Sequence, residues 1–180
     1  IDSPAHVEAV RSLVSVPLIG LWKRQYSGYE VYITPTFDDA AAIARAGADI
    51  IAIDATLRDR PKGETVKSLI SRIHDELGKL VMADIDTLEA AVAAVDSGAD
   101  VVGTTLLGYT ADTRHETPPG FDLLARLSHS LAVPVICEGG IASPQMAKQA
   151  IDLGAYAVVV GTAITGIDAL VASYHSALIE

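Results

Sequence analysis

A parallel α/β architecture of the (β/α)8 TIM-barrel type is the fold class this sequence predicts, and three observations predict it. Short β-branched runs alternate with longer helical patterns from end to end, the mark of strand-helix repeats feeding a parallel sheet. A related segment recurs ahead of every second strand, at Gly47-Ala48-Asp49, Gly98-Ala99-Asp100 and Gly154-Ala155-Tyr156. Two late apolar runs end in glycine, at Gly139-Gly140 and at Gly161, which is how barrels of the phosphate-binding type shape their last strand ends around an anion.

Taken in order, residues 4–13 read as a helix with Ser3 as N-cap and Pro4 at its first position, where a missing N–H costs nothing. Strands follow at 17–22, 50–54, 80–84, 101–105, 133–138 and 157–160, interleaved with helices at 38–46, 63–77, 87–97, 120–130 and 144–153. Gly47, Gly98 and Gly154 each close a helix and turn the chain into the next strand, a structural role. A closed barrel of this kind takes about eight strands and about 250 residues, somewhat fewer in compact members. A first β-α-β segment is therefore expected before Ile1, and residues 1–180 are read as a single barrel domain that is N-terminally incomplete. An open sheet is the alternative, but it would expose strand edges prone to pairing with other chains.

Composition narrows the function. The chain has 180 residues, 50% of them apolar, with 13 basic and 23 acidic side chains for a net charge of −10. That charge disfavours nucleic acid and anionic membranes and leaves small molecules as the expected partners. Cys137 is the single cysteine, inside an apolar strand, so it reads as a small core residue in a reducing, cytoplasmic setting. No apolar run approaches the ~20 residues that span a bilayer, and Ile1-Asp2-Ser3-Pro4 does not resemble the start of a secretory signal. A homodimer is the expected assembly, because residues 170–179 read as a terminal apolar helix able to cover a neighbour; packing on its own barrel is the alternative.

In a barrel, the C-terminal strand ends carry the chemistry. Those ends supply Lys23 and Arg24, Asp54, Asp84, Thr104 and Thr105, and Glu138. Lys23 follows an apolar strand, so it points either to solvent or into the mouth. Positive charge from Arg24 and partial burial would favour its neutral amine, the form that acts as a base. Glu138 lies between Ile136-Cys137 and Gly139-Gly140, where a carboxylate is costly unless paired or functional; an ion pair with Lys23 or Arg24 is the structural alternative. Asp84 either orients the lysine or substrate, or caps the helix that follows. Asp54 is similar, and Arg58-Asp59-Arg60-Pro61 beyond it reads as a solvated loop near the mouth. Backbone N–H groups at Gly139, Gly140, Gly161 and Thr162, with the Arg24 side chain and Thr104, are the expected ligands of substrate and phosphate. The histidines at 6, 74, 115, 129 and 175 fall on helices or loops without metal-ligand spacing, so no metal is expected.

The ordered set Pro17-Leu18-Ile19-Gly20-Leu21-Trp22-Lys23-Arg24, Ile33-Thr34-Pro35, Met82-Ala83-Asp84-Ile85, Gly103-Thr104-Thr105-Leu106-Leu107-Gly108-Tyr109-Thr110 and Gly161-Thr162-Ala163-Ile164-Thr165 resembles the N-acylglucosamine-6-phosphate 2-epimerases. The resemblance runs through essentially the whole chain. It implies interconversion of N-acetylmannosamine 6-phosphate and N-acetylglucosamine 6-phosphate in sialic acid and amino sugar catabolism. It further implies Lys23 as the acid/base at the sugar C2, Glu138 as the partner carboxylate, Asp84 in support, and no cofactor. One departure stands at Gly166, where the family tends to carry arginine. Two readings compete with the epimerase: an aldolase-type enzyme in which Lys23 forms a Schiff base, and a non-catalytic incomplete barrel.

Overall fold

The computed structural model describes residues 2–179; Ile1 and Glu180, which the single-domain expectation includes, lie outside the described residues. Helix α1 (Pro4–Arg11) is followed by β1 (Ile19–Gly20), α2 (Phe37–Arg45), β2 (Ile50–Asp54), α3 (Val66–Arg72), β3 (Leu80–Asp84), α4 (Leu88–Asp96), β4 (Val101–Gly103), α5 (Phe121–Ser130), β5 (Val135–Glu138), α6 (Pro144–Asp152), β6 (Ala157–Val159), α7 (Thr162–Thr165) and α8 (Ile167–Ile179). The strands form one curled six-stranded parallel sheet in sequence order, β1 to β6. This is the α/β class expected, as an arc; among the described residues no strand joins β6 back to β1.

Alternation of side chains along each strand builds two cores. Ile51, Ile53, Val81, Ala83, Val102, Val135 and Cys137 point outward and pack with the helices. Ala52, Met82 and Ile136 point inward and cluster with Ile19, Leu21, Ile50, Val101, Ala157 and Val159. Extending the inward set past each strand end reaches Lys23, Asp54, Asp84, Thr105, Glu138 and Gly161. The register pairs Asp54 with Asp84 across β2 and β3, and Glu138 with Val159 across β5 and β6.

Helix starts follow their caps. Ser3 accepts from the backbone N–H of His6, and Thr36 and Thr65 each open a reciprocal capping box, with Asp39 and Ser68. Gly47, Gly98 and Gly154 adopt φ of +103°, +103° and +98° past their helices, a backbone region that glycine enters without a Cβ penalty.

Three expectations change. The strand expected at 17–22 is ladder-paired only at Ile19–Gly20, because the chain beyond leaves the sheet: Lys23 bridges Ile33 antiparallel, and the Arg24 N–H donates to the Tyr32 carbonyl at 2.9 Å. The helix expected at 63–77 starts at Val66, since Thr65 caps it there, and continues through a wider π-type turn, Ile73–Leu77. Packing of the terminal helix on its own barrel, the alternative to covering a neighbour, is slight: Ala169, Leu170 and Ser173 border the strand-end cavity, but Ile167 is 69% exposed and Leu178 85%. Among the described residues, no helix is long and apolar enough to cross a membrane.

Candidate active site

The inward side chains at the C-terminal strand ends open onto a cavity of about 1410 Å³. Lys23, Thr105, Glu138, Gly139, Gly140, Gly161 and Thr162 all line it, together with Tyr32, Tyr109 and Gly166. Of the residues expected from the sequence, these are brought together. Asp84, Arg24 and Thr104 are not part of the wall.

Lys23 is held by its backbone, through the bridge to Ile33 and an N–H donated to the Asp2 carbonyl at 3.2 Å. Its side chain is exposed rather than partly buried. Arg24, one residue on, has the opposite parity and leaves the cavity: its Nη1 donates to Asp39 Oδ1 at 2.9 Å, and the guanidinium lies over the Trp22 and Tyr26 rings at 4.6 and 5.2 Å. Asp39 is fully buried and also accepts from Tyr26, Thr36 N–H and Thr36 Oγ1. Arg24 is thus engaged as the counter-ion of a buried carboxylate at the start of α2.

Glu138 ends β5. Thr104, buried at the same level of β4, fastens its backbone: Thr104 Oγ1 accepts from Glu138 N–H at 3.1 Å and donates to the Glu138 carbonyl at 3.0 Å. The structural alternative for Glu138, an ion pair with Lys23 or Arg24, does not form among the described residues; Arg24 is paired with Asp39. Burial instead pushes the Glu138 carboxyl above the usual range, against a lowering hydrogen bond from Thr105.

Asp84 is 1% exposed. Thr105 Oγ1 donates to its Oδ1 at 2.6 Å, while Oδ2 is buried without a partner. Burial first, and then the charge of Glu138, drives the Asp84 carboxyl well above its ordinary value. Of the two roles open to Asp84, the cap is taken by Thr87, whose side chain accepts from Ala90 N–H at the start of α4. Thr105 Oγ1 also lies 3.3 Å from Glu138 Oε2, so one hydroxyl stands between the two carboxyls.

Asp54 belongs to its own loop. It accepts from Thr56 Oγ1 at 2.7 Å and Arg58 Nη2 at 2.8 Å. The two arginines expected to be solvated are tucked in, their side chains 15% and 1% exposed: Arg58 is drawn to the buried Asp54 carboxylate, while Arg60 Nη2 stands 4.0 Å from Asp54 Oδ1 with its guanidinium nitrogens buried and not hydrogen-bonded.

The glycines shape the far wall. Gly139 and Gly140 have φ of +98° and +69°, and a Cβ on Gly140 would fall 2.6 Å from the Pro118 carbonyl carbon. Gly161 precedes α7, which opens at Thr162, where early helical N–H groups have no intrahelical acceptor. Among the described residues no group of three or more His, Cys, Asp or Glu side chains is placed to hold a metal ion.

Of the wall residues, Thr105 is among the strand-end candidates but not among the expected ligands, and Tyr32, Asp2 and His6 are not among the candidates. Thr105 was readable from parity, since it continues the inward series Val101, Gly103. Tyr32 depends on the bridge to Lys23, which no periodicity announces. Its hydroxyl is raised above the ordinary tyrosine value by burial, reinforced by Asp54 and Asp84. Asp2 and His6 also line the cavity, their Oδ1 and Nδ1 being 2.8 Å apart, which holds the Asp2 carboxyl below the usual range; their i, i+4 spacing at a helix start was the available signal.

A profile of the family described as "Putative N-acetylmannosamine-6-phosphate epimerase" matches residues 1–180. A protein of Thermosynechococcus vestitus named "Putative N-acetylmannosamine-6-phosphate 2-epimerase" is 62% identical over 178 residues, covering 99% of this chain and 77% of its own length. One of the same name from Synechococcus elongatus is 61% identical over 180 residues, covering 99% and 78%. The solved N-acetylmannosamine-6-phosphate 2-epimerase from Clostridium perfringens superposes with a TM-score of 0.92 at 40% identity, over 97% of this chain and 76% of that one.

Proposed function

Since the chain belongs to the N-acetylmannosamine-6-phosphate epimerase family, we propose that it interconverts N-acetylmannosamine 6-phosphate and N-acetylglucosamine 6-phosphate at the strand-end cavity, with Lys23 as acid/base. In the ring-opened sugar the C2 hydrogen lies beside the C1 aldehyde, so its removal gives an enolate-type intermediate in which the carbonyl oxygen takes up the charge. Lys23, as the neutral amine, takes the C2 proton, and the ammonium so formed returns a proton to the opposite face of C2, which inverts the centre and restores the amine. The atoms balance without redox change, and this chemistry calls for neither metal nor organic cofactor.

Glu138 is the carboxyl partner across the same cavity, with Asp84 supporting it from behind the wall. The observation that carries this assignment is that Lys23 and Glu138, from opposite sides of the arc, line one cavity whose wall includes Gly140, Gly161 and Thr162. The phosphate fits that glycine wall, where close backbone approach and the early N–H groups of α7 suit an anion. Remote binding of the phosphate then holds C2 near Lys23. With Gly166 on this wall, the site relies on backbone donors where the family offers an arginine. Arg24 and Thr104 support the site from outside the cavity.

The finer architecture follows the same reading. The open edges of β1 and β6 and the exposed apolar residues of α8 suit a (β/α)8 barrel domain in which further strands pair with both edges, and suit a homodimer in which a second copy covers α8. The substrate is a soluble sugar phosphate, which places the reaction in the cytoplasm, within amino sugar catabolism.

The test is incubation with N-acetylmannosamine 6-phosphate in deuterated water, followed by NMR. Deuterium enters C2 as the gluco epimer forms, and Lys23→Ala lowers the rate on the order of 10²-fold or more. Turnover without C2 exchange, or unimpaired turnover in Lys23→Ala, refutes the assignment.

A further inference from the structure

We propose that Thr105 is a positioning residue for this reaction, its hydroxyl being the bridge through which buried Asp84 sets the protonation state of Glu138. The inference rests on the epimerase reading of the cavity. Asp84 cannot meet a substrate: it is 1% exposed and is absent from the cavity wall. Its Oδ1 faces Thr105 Oγ1 at 2.6 Å, and the same Oγ1 lies 3.3 Å from Oε2 of Glu138, which does line the cavity.

A hydroxyl carries one proton and two lone pairs. It cannot donate to two carboxylates at once, so with both groups ionised one of them would face lone pairs in a desolvated site. One proton on Asp84 completes the order: Asp84 donates to Oγ1, and Oγ1 donates to Glu138. Two close carboxyls in such a site hold one proton between them and titrate as a pair. The transfer balances. As the Asp84 proton moves to Oγ1, the hydroxyl proton moves to Glu138 Oε2, leaving Asp84 ionised, Thr105 unchanged and Glu138 neutral. Glu138 can therefore face the sugar in either state without exchanging a proton with solvent.

The other titratable groups around the pair are engaged elsewhere or stand apart from the bridge. Asp54, the register partner of Asp84, is tied to Arg58. Tyr32 and Lys23 face the pair from the cavity, and Cys137 precedes Glu138 on β5, pointing into the outer core. Gly103 keeps the bridge open, because a Cβ there would lie 3.0 Å from both Asp84 Oδ1 and Thr105 Oγ1.

Thr105→Val keeps the volume and removes the proton. It should lower kcat at least about tenfold with KM within about twofold, and shift the carboxyl-dependent limb of the pH–rate profile; Thr105→Ser should restore both. Adding Thr105→Val to Asp84→Asn should cost little more than either change alone, since one bridge is broken either way. Carbon-13 NMR of the carboxyls in the substrate-free protein reads the bridge without turnover: Asp84 and Glu138 should titrate together in the natural protein and independently in Thr105→Val. Folded Thr105→Val with unchanged kcat and pH profile, or with unchanged coupled titration, overturns the proposal. If Thr105→Val does not fold, Asp84→Asn must convert Glu138 to a single independent titration, and an unaltered Glu138 curve overturns it equally. Coupled titration that responds to Thr105→Val in a protein that does not epimerise would remove the epimerase reading and leave the bridge standing.

Discussion

Asp54 and Asp84 are register partners on neighbouring parallel strands, yet Asp54 is ion-paired with Arg58 at 2.8 Å while Asp84 keeps a buried oxygen with no partner. The same residue type at the same strand level thus anchors a loop in one place and backs the cavity in the other. What differs is the following segment: Thr56 and Arg58 return to Asp54, whereas β3 passes directly to the turn before α4 and brings no cation.

Asp84 should make the protein less stable as pH rises. Burial, and then the charge of Glu138, holds its folded-state value well above that of an exposed carboxyl, so between those two values the native state binds the proton that the unfolded chain releases. Stability therefore falls with rising pH across that window and levels off above it. Asp84→Asn removes the titration and should be more stable at neutral pH by about 1–3 kcal/mol, with lower activity. Thermal unfolding at acidic and neutral pH checks this, and identical pH dependence in the two proteins would count against it.

Arg24→Ala should leave substrate affinity nearly intact. The guanidinium lies outside the cavity wall and stabilises Asp39, which is 0% exposed. Because the arginine itself is half-exposed and Asp39 keeps its bonds from Thr36 and Tyr26, the expected loss is about 1–2 kcal/mol of stability, with KM changed less than about twofold. A large rise in KM with unaltered melting temperature would return Arg24 to the phosphate.

Gly140→Ala should damage the far wall. The positive φ of +69° and the 2.6 Å approach to the Pro118 carbonyl carbon leave no room for a methyl group, and the backbone strain alone costs about 1–2 kcal/mol. The Gly139-Gly140 turn must shift, so KM for the sugar phosphate should rise at least about fivefold while Lys23 keeps its place. Activity assays over a substrate series decide it; unchanged KM would show that the phosphate does not use this wall.

The order of strands and helices and the strand-end candidates are legible in the residues alone. Strands Ile50–Asp54 and Leu80–Asp84 and the glycine caps at 47, 98 and 154 are local, set by side-chain branching, alternation and positive φ, and the strand-end rule put Lys23 and Glu138 among seven candidates, from which the family resemblance singled them out. The same rule also offered Arg24 and Thr104 as ligands, and the alternation of the strands carries both away from the cavity, leaving Lys23 and Thr105 on its wall. Tertiary structure decided the rest, because it depends on which groups are desolvated together. Arg24 left the site because Asp39, far along the chain, is buried beside it. Arg58 is drawn in because Asp54, on β2, is buried beside it. Asp84 and Glu138 share one hydroxyl only because neighbouring parallel strands set Thr105 between them, and the cost of burying charge is fixed by neighbours that no local pattern of residues can name.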